Sequence, residues 1–385
     1  MGIENQHVRG HERRFFVQPQ TDLDTMVRAA SAGAVKILSF TAEYDQARNE
    51  RKHNRATRGR RGAVSGQRTV SWSLEKELIP SGTAGTAPDD QDLWQSAFVT
   101  ETVNGGTSVV YSLATTQAMQ LLSIHDYHPA GVMQSLIGAW VDTLKIAGSG
   151  ADPLKVSMTG GARRLVQTGR TTVDGAVTTS ATVVVDDEYQ IEVDSIVQVG
   201  ANTNTSTGYR VTANAAGSLT LEATLSVADA AAVVPFAPAE TTAGTPLAGI
   251  DGSLTVLGAA CPVTAWEVEV NNAMIPHDGE YGAVHVSDVS PGWRQVSGTF
   301  TFRLRRDLIG ILSTRKNSDF AAQAVTIVCG GTAGRTLTIS MPQVELGGVL
   351  KIDHADDGGP STVTMSFVAD ESTDSANDAI TATWT

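Results

Sequence analysis

The sequence predicts a mainly β protein, with two tandem β-sandwich or barrel domains that each carry a short flanking helix and a small all-β module inserted between them. Three observations lead there. Aromatic residues are only 5 % and charged residues 18 %, below the usual ~25 % charged. Thr, Val, Ser, Ala and Gly take their place, a mix that suits many short strands and turns. Next, strict alternation begins at Val70, with Val70, Trp72 and Leu74 pointing one way and Ser71, Ser73 and Glu75 the other, the mark of a half-buried strand. Finally, Gly66–Leu78 repeats as Gly292–Leu304, with Gly, Arg, Val, Ser and the final Leu identical. A repeat of such long period points to two copies of one domain, not a solenoid. At 385 residues and 41 % hydrophobic content the chain can bury the cores of two or three domains, which excludes wholesale disorder.

Each element follows in order. Residues 1–30 read as a leading arm with one apolar piece at Phe15 and Phe16. A strand is expected at Val35–Tyr44, then a basic stretch to Gly66, then the alternating strand. Pro88-Asp89-Asp90 introduces Leu93, Trp94, Ala97 and Phe98, which fall on one helical face behind an Asp N-cap. Strands follow at Ser108–Leu113, Met119–His125, Trp140–Ile146 and Leu154–Met158. Between 170 and 246, short strands (Thr182–Val185, Ile196–Val199, Tyr209–Val211, Leu219–Leu221) alternate with Gly/Asn/Ser turns and end in an Ala/Pro/Thr-rich linker. After it the first half starts again. Val263–Val270 is a strand, Asn271–Pro291 a polar loop, and Asp307-Leu308-Ile309 a second helix start answering Asp92-Leu93-Trp94. Strands at Ala324–Val328, Leu337–Met341 and Val363–Phe367 complete it. The expected organisation is an arm at 1–30, one domain at 31–169, the inserted module and linker at 170–246, and a second domain at 247–385.

Signatures of enzyme chemistry do not emerge. The chain lacks a G-x-x-x-x-G-K-[ST] phosphate loop, a G-x-S-x-G elbow and an H-E-x-x-H helix. Gly330-Gly331-Thr332-Ala333-Gly334 lies between two strands and reads as a hairpin turn. His125-Asp126-Tyr127-His128 offers ligand-type groups without further ligands at metal spacing, and reads as a strand end. His354, Asp356 and Asp357 beside Gly358-Gly359-Pro360 have turn composition. The expectation is a non-enzyme with no cofactor and no metal. Two cysteines, Cys261 and Cys329, make no disulfide framework and fit a reducing cytoplasm. The polar start lacks the apolar core of a secretion signal, and no apolar run is long enough to span a membrane.

Charge is the sharpest remaining signal. The net charge is −13, a poor basis for binding nucleic acid, yet seven bases gather at Arg48, Arg51, Lys52, Arg55, Arg58, Arg60 and Arg61. No aromatic residue lies among them to stack on bases. The equivalent loop of the second repeat carries Asp278, Glu280 and Asp288 instead. Equivalent loops of opposite sign read as complementary contacts between subunits, which fix register and steer partners. A solvated loop is the plainer alternative.

Val263-Thr-Ala-Trp-Glu-Val-Glu-Val-Asn-Asn272, the loop after it, Gly292-Trp-Arg-Gln-Val-Ser-Gly298 and Thr338-Ile-Ser-Met-Pro-Gln-Val344 resemble the second domain of siphophage tail tube proteins. The long loop before Gly66 and the helix near Trp94 resemble the first, and Gly208–Ala213 before Leu219–Leu221 resembles an insertion seen in relatives. The resemblance implies two tail-tube domains whose strands join a barrel around a lumen. It implies trimeric, pseudo-hexameric rings, with a hexamer as the alternative, stacked into a tube with bridging loops and arms. Duplex DNA would pass through unbound on ejection. The tape measure, tail terminator and tail tip proteins would be partners, and the virion tail, assembled in the host cytoplasm, the location. An acidic lumen and a surface-decorating module at 170–246 are expected on the same reading. Another tail or baseplate tube component, or a carbohydrate-binding β protein of the virion surface, are the competing readings.

Overall fold

The computed structural model describes residues 12–50, 62–114, 119–242, 244–256, 259–306, 323–354, 359–373 and 376–385. They form a mainly β fold with a single α-helix among the described residues. A 16-stranded sheet holds most of the chain, and a separate six-stranded sheet is built from residues 171–235.

Eight strands of the large sheet make a continuous antiparallel wall and are numbered here in chain order. They are β1 (Ser39–Asn49), β2 (Val64–Glu77), β3 (Val132–Ser149), β4 (Lys155–Thr168), β5 (Val263–Asn271), β6 (Gln295–Arg303), β7 (Leu337–Asp353) and β8 (Thr362–Asp370). Their order across the wall is β7-β8-β6-β5-β3-β4-β2-β1. The two halves share one register. In the first, Phe40 faces Leu74, Leu74 faces Met158 and Met158 faces Leu144. In the second, Trp266 faces Phe300, Phe300 faces Met365 and Met365 faces Leu350.

Packing differs between the halves by an exchange of sizes. Trp72 lies opposite Gly160, whereas at the equivalent place Gly298 lies opposite Phe367. A Cβ on Gly160 would sit 3.0 Å from the Trp72 ring, and one on Gly298 2.5 Å from the Phe367 ring. Each ring therefore needs a glycine across from it, as close-packed interiors demand.

Helix α1 (Gln91–Phe98) plugs the core with Leu93, Trp94, Ala97 and Phe98, the residues its periodicity predicts. The predicted cap works differently. The Asp90 side chain makes no capping bond; its Oδ2 instead accepts from Trp94 Nε1 at 2.9 Å and meets Lys76 Nζ at 2.5 Å, with both charged side chains only 2 % exposed. Trp94 packs on Phe98, Tyr111 and Trp384 at 5.6–5.8 Å. Trp384 belongs to the strand Thr381–Trp384, which pairs with both Ser108–Ser112 and β7. One hydrophobic core thus runs through both halves.

Within the residues read as a leading arm, Arg14–Gln20 forms a strand paired with Leu121–His128, burying Phe15, Phe16 and Val17. The connection after it is tied down by buried polar groups. His125 uses both ring nitrogens, one on Ser135 Oγ at 2.9 Å and one on the Val27 carbonyl at 2.8 Å. Burial pushes its imidazole down to about 4, so it sits neutral in the fold. Asp126 is taken by a bidentate Arg13 at 2.7 and 2.9 Å. The six-stranded sheet has its own core around Val183, Val197, Val211, Leu219 and Val233. It meets the larger body through Ile196 against Met26, Met133, Ile137 and Val166.

Candidate assembly surfaces

Among the described residues, the wall contains one completed joint and two free edges. At the joint, β5 of the second half pairs antiparallel with residues 143–149 of β3 in the first. Val268 faces Ile146, Glu269 faces Lys145 and Val270 faces Leu144. Val270 and Ile146 are 0 % exposed there. The Lys145 ammonium also meets Glu267 at 2.7 Å. Buried Asn272 closes the upper end, donating to the Ala97 carbonyl at 3.1 Å and accepting from Arg294 Nε at 2.9 Å.

Shared register carries each side of this joint to a free edge. The counterpart of β5 is β1, which ends the wall, with Ala42, Glu43 and Tyr44 in the places of Val268, Glu269 and Val270. The counterpart of residues 143–149 is the end of β7. There Leu350-Lys351-Ile352 stands where β3 has Leu144-Lys145-Ile146. Residues 345–353 pair with β8 on one side and with no described strand on the other, because the Gln323–Cys329 strand stops at Val344. Tyr44 is 43 % exposed and Ile352 41 %, apolar side chains whose counterparts in the joint are fully buried. Unpaired strand edges of this kind are templates for another chain.

The wall's two faces differ. One carries the core residues, and the other is lined by Ser, Thr and charged side chains. Glu43, Glu75, Glu77, Glu267, Glu269, Glu345 and Asp353 share the polar face with Lys145, Lys155, Lys351 and Arg303. Three of those cations are already paired, Lys145 with Glu267, Lys155 with Glu75 at 2.8 Å and Lys351 with Asp353 at 2.9 Å. The face therefore carries net negative charge.

Among the site residues read from the sequence, Arg48 lies at the end of β1. Arg51, Lys52, Arg55, Arg58, Arg60 and Arg61 fall outside the described residues, as does the second helix start at Asp307. Asp278, Glu280 and Asp288 lie on the connection from β5 to β6, folded around a short hairpin of Ile275–Pro276 and Val289–Ser290. That connection rests on the first half. Arg68 N–H donates to the Val284 carbonyl at 2.9 Å, Gly279 N–H to Gln67 Oε1 at 2.5 Å, and Arg163 to the Ser287 carbonyl at 3.3 Å. Nearby, burial and the charges of Arg68, Arg164 and Arg163 hold the His285 imidazole below its ordinary range. The two free edges went unread in the sequence. The signal was present in the identical Leu-Lys-Ile runs at 144–146 and 350–352.

No helix of the described residues is long and apolar enough to cross a membrane. A family model described as phage tail tube protein matches residues 188–385, which take in most of the six-stranded sheet and the whole second half of the wall. A search of curated proteins found no match.

Proposed function

Since the chain belongs to the phage tail tube protein family and is a structural component of the virion tail, we propose that copies join β1 of one to β7 of the next, closing a ring of three. The observation that carries this reading is the joint between β3 and β5, a worked instance of the same contact inside each chain. Repeating it puts Glu43 opposite Lys351, Ala42 opposite Ile352 and Tyr44 opposite Leu350. A contact between two different surfaces closes only if its rotation divides a full turn. In this reading each chain supplies two wall units, so three chains make six.

Three copies of the eight-stranded wall give about 24 strands. At ~4.8 Å spacing and a tilt of ~40° these close at a backbone diameter of roughly 45–50 Å, leaving roughly 35–40 Å inside the side chains. Duplex DNA, about 20 Å wide, fits. The polar face lines this lumen, and its excess of carboxylates repels phosphate, so the genome slides without sticking. The tape measure protein occupies the same channel before ejection, and terminator and tip proteins cap the ends. Closure also removes both exposed edges. The six-stranded sheet, with its own core, sits on the outside. Rings stack into the tube in the host cytoplasm.

Electron microscopy of the concentrated protein, with single-particle mass measurement, tests this. The expected result is hollow tubes or stacked rings and a ring of three chains. A monomer that stays unassembled even with tail tips as seed would overturn it.

A further inference from the structure

Inside each chain the connection of residues 272–294 leaves β5, passes β3 and β4, and lands on the start of β2. Through Gly279 on Gln67, Val284 on Arg68 and Ser287 on Arg163, this connection, which carries Asp278, Glu280 and Asp288, meets a surface that holds Gln67, Arg68, Arg163 and Arg164, the last two also paired with Asp24 and Asp194. Register transfers this landing site to the second half. Val70 faces Ala162 and Val296 faces Ala369, so Trp293 stands where Gln67 does, and Asp370 and Glu371 stand where Arg163 and Arg164 do.

In the transferred site acids replace two of the three arginines while Arg294 keeps the place of Arg68, and the described residues leave Trp293, Asp370 and Glu371 uncovered. Trp293 is 95 % exposed, and Asp370 and Glu371 are exposed. The connection that corresponds to residues 272–294 is the one between β1 and β2, and its sequence is basic where the other is acidic. The connection has changed sign, and so have two of the three charged positions of the surface it meets. The chain's own β1 is five strands from β6, roughly 24 Å, on the far side of the wall from Trp293. A copy whose β1 pairs with β7 stands at the right distance, three strands away, as β5 stands from β2.

We propose that Trp293, Asp370 and Glu371 form the docking site for a neighbouring copy, entered by the basic connection between that copy's β1 and β2. This rests on the ring closure proposed above. Guanidinium groups fit both parts of the site, stacking on the indole face and pairing with the two carboxylates. The acidic connection is already seated on its own chain, and in this reading the basic one serves the neighbour, which fixes direction.

Acrylamide quenching of tryptophan fluorescence in the full chain reads the site. Trp72, Trp94, Trp140 and Trp384 are at most 5 % exposed and Trp266 is half-buried, so the most accessible indole before assembly is Trp293, at 95 %. Its quenching is expected to disappear in tubes, and Trp293→Phe protein should show no such change. Asp370→Lys with Glu371→Lys should raise the concentration needed for tubes about ten-fold or more. Adding Arg55→Glu, Arg58→Glu, Arg60→Glu and Arg61→Glu should bring it back toward wild type, a rescue that a purely structural role would not give. Wild-type tubes in which Trp293 stays quenchable, or reversed acids that assemble normally, would overturn the site alone. Wild-type chains that form no rings would overturn the closure itself, and the site with it.

Discussion

Chains carrying Tyr44→Asp and Ile352→Asp should remain folded monomers and lose assembly. Both side chains are about two-fifths exposed in the single chain, where such replacements cost little, within about 0.5 kcal/mol. In the ring each takes the place of a residue that is fully buried at the internal joint, Val270 for Tyr44 and Ile146 for Ile352. Burial of the exposed two-fifths of each side chain stabilises the contact by about 1 kcal/mol, and an unpaired buried carboxylate in its place opposes the contact by about 1–3 kcal/mol more. The concentration needed for tubes should rise by at least about 100-fold, since each 1.4 kcal/mol is ten-fold. Sedimentation measures the loss, and thermal unfolding of the monomer checks that the fold is intact. Normal tubes from this variant would show that these edges do not meet.

Lys76→Met should destabilise the monomer by about 3–5 kcal/mol, because removing one partner of a buried ion pair strands the other. Lys76 Nζ lies 2.5 Å from Asp90 Oδ2, and both side chains are 2 % exposed. The lone Asp90 carboxylate would keep only the Trp94 N–H. Melting should fall by roughly 4–6 °C. Lys76→Met with Asp90→Asn should recover most of that, since a neutral amide oxygen still accepts from Trp94 and no charge is left buried. Equal losses in the single and double variants would mean that packing of the lysine stem matters and the charge pair does not.

Much of the mainly β fold was legible because period-two alternation survives wherever one face is buried, as from Val70 to Leu74 and from Val296 to Phe302. Helix α1 was legible from the spacing of Leu93, Trp94, Ala97 and Phe98. What alternation could not show was strand length. The sequence reading stopped one strand at Met341, where the structure runs β7 on to Asp353, through Gly347-Gly348, residues that ordinarily signal a turn. The edge that matters for assembly lies beyond that point. The repeat of Gly66–Leu78 at Gly292–Leu304 was legible despite the exchange of Trp72 and Gly160 for Gly298 and Phe367, a difference that only the register shows to be a compensation of volumes. Asp90 had the composition of a cap, but tertiary partners, Lys76 and Trp94, claimed its carboxylate. The sign reversal between the two connections was visible in sequence. Its acidic counterpart at Asp370 and Glu371 required the strand register.

Cysteine cross-linking between Glu43→Cys and Lys351→Cys in assembled tubes tests the β1–β7 joint most directly. Those positions are opposed in the proposed joint and face the polar side. The native thiols should not compete, as Cys261 and Cys329 are buried and burial pushes the Cys329 thiol up to about 12. After oxidation and denaturation, the account predicts a closed covalent trimer as the limiting species, with dimers as the intermediate. Tubes that yield no cross-link, or a ladder that runs on past three chains, would contradict it.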